Sequence, residues 1–158
     1  MSSAIGMDTR LRVRTNAKLN LFLRVVGRRS DGYHELETIF HGIGLGDDIE
    51  LELTSSGGVE IDMSLDPDLV GDLPTAEENL ITRAIEGLVG AGAINAGVKI
   101  HITKRIPIAA GLGGGSGNAA GALVALSEAW KLDLDHDGLL PLAAAIGSDV
   151  PYCLGGGT

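Results

Sequence analysis

Gly111, Gly113, Gly114, Gly115 and Gly117 fall within seven positions, and the helical apolar pattern of residues 119–130 follows at once. Glycine tolerates positive φ and lets backbone approach a ligand closely. A helix N-terminus offers unpaired N–H groups and a partial positive charge. A glycine-rich loop that opens a helix is therefore suited to an anion, phosphate above all. Two familiar phosphate motifs do not fit. The chain holds no Gly-x-x-x-x-Gly-Lys-Ser/Thr, and Gly111-x-Gly113-x-x-Ser116 breaks the dinucleotide fingerprint at its third glycine. Residues 106–127 carry no charge, yet six glycines, Pro107, Ser116, Asn118 and Ser127 make a poor membrane span. A turn that merely connects strand to helix is the plain alternative at this point.

Three other places carry residue types that can do chemistry. Lys18, Asn20, Phe22 and Arg24 alternate with Leu19, Leu21, Leu23 and Val25, the period of a strand. Lys18 and Asn20 thus lie side by side on one face, where a solvent-facing pair is the plainer reading. Asp31-Gly32 signals a turn between two β-rich runs, so Tyr33 and His34 stand where a hairpin loop meets its return strand. Such loops often bind ligands, although a packing tyrosine beside a surface histidine is the simpler account. Asp149 follows a helix and precedes Val150-Pro151, fitting a capping aspartate and a functional carboxylate equally well.

These residues need a scaffold, and the chain's 158 residues suffice for a real core. Alternating strand and helix patterns with 24 glycines indicate an α/β or α+β protein with tight turns. A net charge of −9 argues against an electrostatic grip on nucleic acid, whose backbone demands clustered Lys and Arg. The single cysteine, Cys153, excludes an internal disulfide and suits a reducing cytoplasm. The first ten residues lack the apolar core of a signal peptide.

The elements read as follows. Strands are expected at residues 18–26 and 35–45, with a turn at Gly46-Asp47-Asp48, then at 49–54 and 59–63. Thr75 and Glu78 match the capping box of a helix carrying Leu80, Ile81, Ala84, Ile85 and Leu88, with Asn79 in its first turn. Residues 98–103 form a strand leading into the glycine loop, and residues 119–130 a helix. Asp135 or Asp137 caps a further helix over residues 138–146, with Pro141 near its start, and Tyr152-Cys153-Leu154 begins a strand.

Taken together, Pro107-x-x-x-Gly111-Leu-Gly-Gly-Gly-Ser116, Ala17-Lys18-Leu19-Asn20-Leu21, Asp31-Gly32-Tyr33-His34-x-Leu36 and Gly147-Ser148-Asp149-Val150-Pro151 resemble the GHMP kinase superfamily. Within it they are similar to the kinases of a cytidine-diphosphate-linked sugar alcohol in the non-mevalonate isoprenoid route. The resemblance implies an α/β fold of the α+β two-layer kind. Its sheet would be mixed and mostly antiparallel with helices on one face, as in the ribosomal-protein-domain-2-like folds. It implies transfer of the γ-phosphoryl group of ATP, with Mg²⁺, to a hydroxyl of the sugar alcohol. Such transfer needs positioning, charge neutralisation and a group to receive a proton.

By the same resemblance, Asp149 is the base and Lys18 lies beside the reacting hydroxyl. ATP falls to Pro107, Ile108, Ala109, Ala110, Gly111, Leu112, Gly113, Gly114, Gly115, Ser116, Gly117 and Asn118, with Lys104 and Asn79 on the same side. Ser116 could also contact Mg²⁺, and no other side chain is implied as a metal ligand. Asn20, Tyr33 and His34 hold the cytidine-bearing substrate. The family pattern has serine where Gly117 stands, so a hydroxyl that could reach phosphate is missing. The resemblance also implies a second domain beyond Gly156-Gly157-Thr158, making residues 1–158 the ATP-binding N-terminal domain.

Overall fold

The computed structural model describes residues 10–28, 30, 32, 34–55, 57–75, 78–92 and 97–158. Four strands, β1 (Arg10–Arg28), β2 (His34–Thr54), β3 (Val59–Leu65) and β4 (Gly97–Lys104), form one sheet in the order β1-β2-β4-β3. β1 with β2 and β2 with β4 are antiparallel, whereas β3 and β4 are parallel. The parallel pair needs a crossover, which α1 (Leu80–Gly90) provides. α2 (Gly114–Ala129), α3 (His136–Ile146) and α4 (Val150–Gly155) complete the helices among the described residues.

The core lies between the sheet and these helices. Ile49, Leu51 and Leu53 of β2 and Val98, Ile100 and Ile102 of β4 point inward, as the alternation requires. They meet Ile81, Ala84, Ile85 and Leu88 of α1 and Leu123 and Leu126 of α2. The opposite face carries cross-strand ion pairs, Arg10 with Glu52, Arg12 with Glu50 and Lys99 with Glu60, which suit a solvated sheet face. α2 runs through the middle, and Gly121 lets it come close. A Cβ there would lie 2.6 Å from Thr15 Cγ2 and 3.2 Å from Val13 Cγ1.

Several expectations are corrected. Gly46-Asp47-Asp48 is not a turn, because β2 continues through it. The irregularity is a bulge at which Asn16 pairs with Gly46 and Ala17 with Ile43. Thr75 does form the capping-box bonds, its N–H reaching Glu78 Oε2 at 3.0 Å, but residues 76–77 of that box lie outside the described residues. The helix itself starts later, with Asn79 as N-cap accepting from the Ile81 N–H at 3.0 Å. α2 begins at Gly114 rather than at residue 119, since its glycines are needed for close packing and the helix tolerates them. Asp135 is the N-cap of α3, which begins at His136. Residues 152–154 are helical, not extended. Pro151 sits in the first turn of α4, where its fixed φ favours a helix start and its missing N–H costs nothing.

The β1–β2 hairpin outruns the rest of the sheet. β4 pairs with β2 only over Asp48–Thr54, so from Thr15 onward the hairpin is two-stranded. Leu21, Phe22, Leu23, Val25, Val26, Leu36 and Ile39 are exposed on this arm. One-residue bulges lie between Asn20 and Phe22 and between Val25 and Gly27, and the first shifts the alternation so that Leu19, Leu21, Leu23 and Val25 do not share one face as expected.

Candidate active site

The strand-to-helix loop that joins β4 to α2 has alternating left-handed backbone. Ala109, Gly111 and Gly113 have φ of 58°, 74° and 70°. A non-glycine residue at positive φ costs about 1 kcal/mol or more, so Ala109 is held there by its surroundings. Alternation of this kind turns successive N–H groups toward one side, a concavity that suits anions. Gly113 is the N-cap of α2 and supplies no side-chain cap, while the Gly117 N–H bonds back to Gly113 O at 2.8 Å. The first-turn amides are therefore left for a ligand.

Two close approaches hold this loop. A Cβ at Gly113 would lie 2.8 Å from Lys18 Cγ, and one at Gly114 would lie 3.0 Å from Ile106 Cγ2 and 3.1 Å from Lys104 Nζ. The Lys18 N–H donates to Leu112 O at 2.9 Å, tying β1 to the loop. A cavity of about 300 Å³ is lined by residues 107–116 with Asn79, Lys104 and Asn118. That volume sits at the lower end of ligand pockets.

Every expected ATP-side residue except one lines this cavity. Gly117 faces away from it, toward β1, where a Cβ would stand 3.2 Å from Asn16 O. A serine at 117 would point its side chain into that packing. Asn118 is buried and accepts from Thr15 Oγ1 at 2.7 Å. Asn79 spends its carbonyl oxygen on capping α1 and turns its amide nitrogen to Met63 Sδ at 3.5 Å.

Asp47 was invisible as a site residue in the sequence. It is 0% exposed, and its carboxylate accepts from Lys104 Nζ, from the Arg105 N–H at 2.7 Å and from the Ile106 N–H at 2.8 Å. A buried carboxylate with an ammonium and two amides is well satisfied. It fixes both Lys104 and the entrance of the loop. Asp48 engages Arg105, whose pKa is held above its usual value chiefly by that hydrogen bond.

Lys18 and Asp149 meet at the other edge of the loop. Lys18, 6% exposed, places Nζ 3.2 Å from Asp149 Oδ2 and donates to Asn20 Oδ1 at 2.6 Å. Its ammonium also stands 4.9 Å from the centroid of Phe40, whose ring is 4.7 Å from that of Tyr152. Asp149 occupies the N-cap position of α4, yet its side chain makes no cap bond. The capping account of this residue therefore fails. Cys153, one turn on, has its thiol pushed up to about 11, mainly by burial, with the Asp149 charge adding and Lys18 opposing. It stays a neutral thiol near pH 7.

The tyrosine-histidine turn is described only in part. Tyr33 is outside the described residues, as is Asp31. His34 is exposed and pairs with Arg28 at the far end of the arm, whereas Lys18 pairs with Gly42. Eight residue steps of extended strand from His34 to Gly42 span roughly 26 Å. Phe40 and Thr38 were not singled out from the sequence, because only the cross-strand register brings them to Asn20 and Lys18. Among the described residues no group of three or more His, Cys, Asp or Glu is placed to hold a metal ion, and no helix is long and apolar enough to cross a membrane.

The arrangement can bind an anion at a helix start and hold a carboxylate and an ammonium beside it. Comparison with known proteins agrees with that chemistry. The family model described as the GHMP kinases N terminal domain matches residues 79–157. The 4-diphosphocytidyl-2-C-methyl-D-erythritol kinase of Pelotomaculum thermopropionicum is 48% identical over 142 residues, covering 90% of this chain and 48% of that protein. The kinase of the same name from Shouchella clausii is 45% identical over 146 residues, covering 92% of this chain and 48% of its own length. A crystal structure of 4-(cytidine 5'-diphospho)-2C-methyl-D-erythritol kinase superposes with a TM-score of 0.74 at 39% identity, over 91% of this chain and 48% of that one. Homoserine kinase from Cytophaga hutchinsonii, at 22% identity and a TM-score of 0.66 over 98% of this chain and 44% of its own, shares the fold. The chain spans about half the length of the curated relatives it matches.

Proposed function

The chain belongs to the GHMP kinases through their N-terminal domain, and we propose that it serves ATP-dependent phosphorylation of the 2-hydroxyl of 4-diphosphocytidyl-2-C-methyl-D-erythritol. In this reading the protein works in the non-mevalonate route to isoprenoid precursors, in the cytoplasm. The observation that carries the reading is the Asp149 carboxylate, released from capping and held 3.2 Å from Lys18 beside the glycine loop.

In this reading Asp149 takes the proton of the acceptor hydroxyl, and Lys18 stabilises the negative charge that develops on its oxygen. Asn20 orients the sugar alcohol next to both. The amides at the start of α2, with Lys104, Asn79 and Asn118, receive the triphosphate of ATP. Ser116, in the first turn of α2, would offer its hydroxyl to a phosphate or to Mg²⁺, which would supply charge neutralisation when bound. Tyr33 and His34 hold the cytidine end, His34 from the far end of the arm. The residues 1–158 form the ATP-binding domain, and a C-terminal domain covers the apolar arm and closes the cleft.

The test is turnover by the protein at the full length of its relatives, with ATP, Mg²⁺ and the cytidyl substrate. Asp149→Asn should lower kcat by about 10²–10⁴-fold, the range of general-base catalysis. Unchanged turnover would remove Asp149 from its role. Preferred phosphorylation of homoserine or mevalonate would move the protein to another branch of the family. Binding of an ATP analogue without any transfer would make it a nucleotide-binding module.

A further inference from the structure

Thr38 is assigned no part in the chemistry above, yet hydrogen-bond accounting ties it to the Lys18–Asp149 pair. Its hydroxyl lies 2.7 Å from Phe22 O and 2.8 Å from Asn20 Nδ2. A threonine hydroxyl has one proton, and a backbone carbonyl can only accept. That proton therefore goes to Phe22 O, and the Thr38 oxygen must accept from Asn20. Asn20 thus turns its NH₂ to Thr38 and its carbonyl oxygen to Lys18 Nζ, at 2.6 Å. The orientation of an asparagine amide is set by such a network.

The β1 bulge makes this possible. Asn20 pairs with Phe40 and Phe22 with Ile39, leaving Leu21 without a partner and aligning Leu23 with Thr38. Asn20, Phe40 and Thr38 then share a face, and the Phe22 carbonyl reaches the Thr38 hydroxyl. A flipped Asn20 would aim its NH₂ at the Lys18 ammonium, donor against donor.

We propose that Thr38 is a positioning residue of the phosphoryl-transfer site: through its hydroxyl it fixes the amide orientation of Asn20 and so the placement of Lys18 beside Asp149. The proposal rests on the kinase reading for its kinetic consequence, while its structural content stands on the hydrogen bonds alone.

The test compares Thr38→Val with Thr38→Ser in the full-length protein. Valine keeps the shape and loses the hydroxyl, whereas serine keeps the hydroxyl and loses the methyl group. Thr38→Val should lower kcat roughly fivefold to tenfold, the worth of one orienting hydrogen bond, with KM for ATP unchanged. Thr38→Ser should stay near wild type. Equal loss in both variants, or none in valine, overturns the role. A second readout does not depend on turnover: solvent exchange of the Asn20 side-chain amide protons, followed by NMR, should speed up in Thr38→Val and not in Thr38→Ser. Identical exchange in wild type and Thr38→Val overturns the proposal even where the kinase reaction is present. Faster exchange in a protein with no kinase activity would uphold the Asn20 contact and sink the kinase reading instead.

Discussion

The two ends of the β1–β2 hairpin are built from one continuous pairing, yet they live in different surroundings. From Arg10 to Arg14, β1 pairs with the part of β2 that β4 flanks, and Leu11 and Val13 pack on the core. From Thr15 onward the same two strands have no third strand paired beside them, and Leu21 reaches 60% exposure. Apolar side chains occur at both ends. What buries one set and not the other is the neighbouring element, since a strand cannot hide its own face. The site stands at the border between the two regions, where Lys18 leaves the covered end and Asn20 enters the arm.

The comparison can be broken most forcefully at the covered end. Asp47→Ala would leave the Lys104 ammonium buried without its carboxylate and two loop amides without an acceptor. A loss of about 3–5 kcal/mol is expected in urea unfolding, the cost of breaking a buried ion pair. A loss below roughly 1 kcal/mol would mean that the pair does not secure the loop.

A smaller effect is expected at the contact between α2 and β1. Alanine at an exposed helical glycine stabilises by about 1 kcal/mol. At Gly121 the new methyl would meet Thr15 and Val13, and overpacking of this kind costs about 1–3 kcal/mol. Gly121→Ala should therefore destabilise or at best break even in thermal unfolding. Clear stabilisation would contradict the close approach.

The smallest effect belongs to the arm. Leu23→Ser and Val25→Ser alter exposed side chains and should each shift unfolding by no more than about 0.5 kcal/mol. A larger loss would show that the arm is covered in solution, which is the outcome to seek when the same variants are made in the full-length protein.

Much of the site was legible in the residues themselves. The glycine loop could be read because positive φ and close backbone contact call for glycine, and Gly111 and Gly113 have that φ. The Lys18–Asn20 adjacency followed from the period of two and survives as a 2.6 Å hydrogen bond. Asp149 was legible only as an even choice between cap and functional group. Asp47 was misread because Gly-Asp-Asp has the composition of a turn, and only the strand running through it reveals a buried anchor. The last helix was misread because residues 152–154 are too few to show either period.

The chain by itself determined where backbone must be permissive, which strands alternate and which residue types are available for phosphate chemistry. These are local properties, written in side-chain size, charge and spacing. Tertiary structure alone decided that Asp149 faces Lys18 instead of capping α4, that Gly117 turns to β1 and that Thr38 meets Asn20. Each of these depends on register between segments far apart in sequence. A one-residue bulge is enough to exchange the two faces of a strand, and no local pattern reports it.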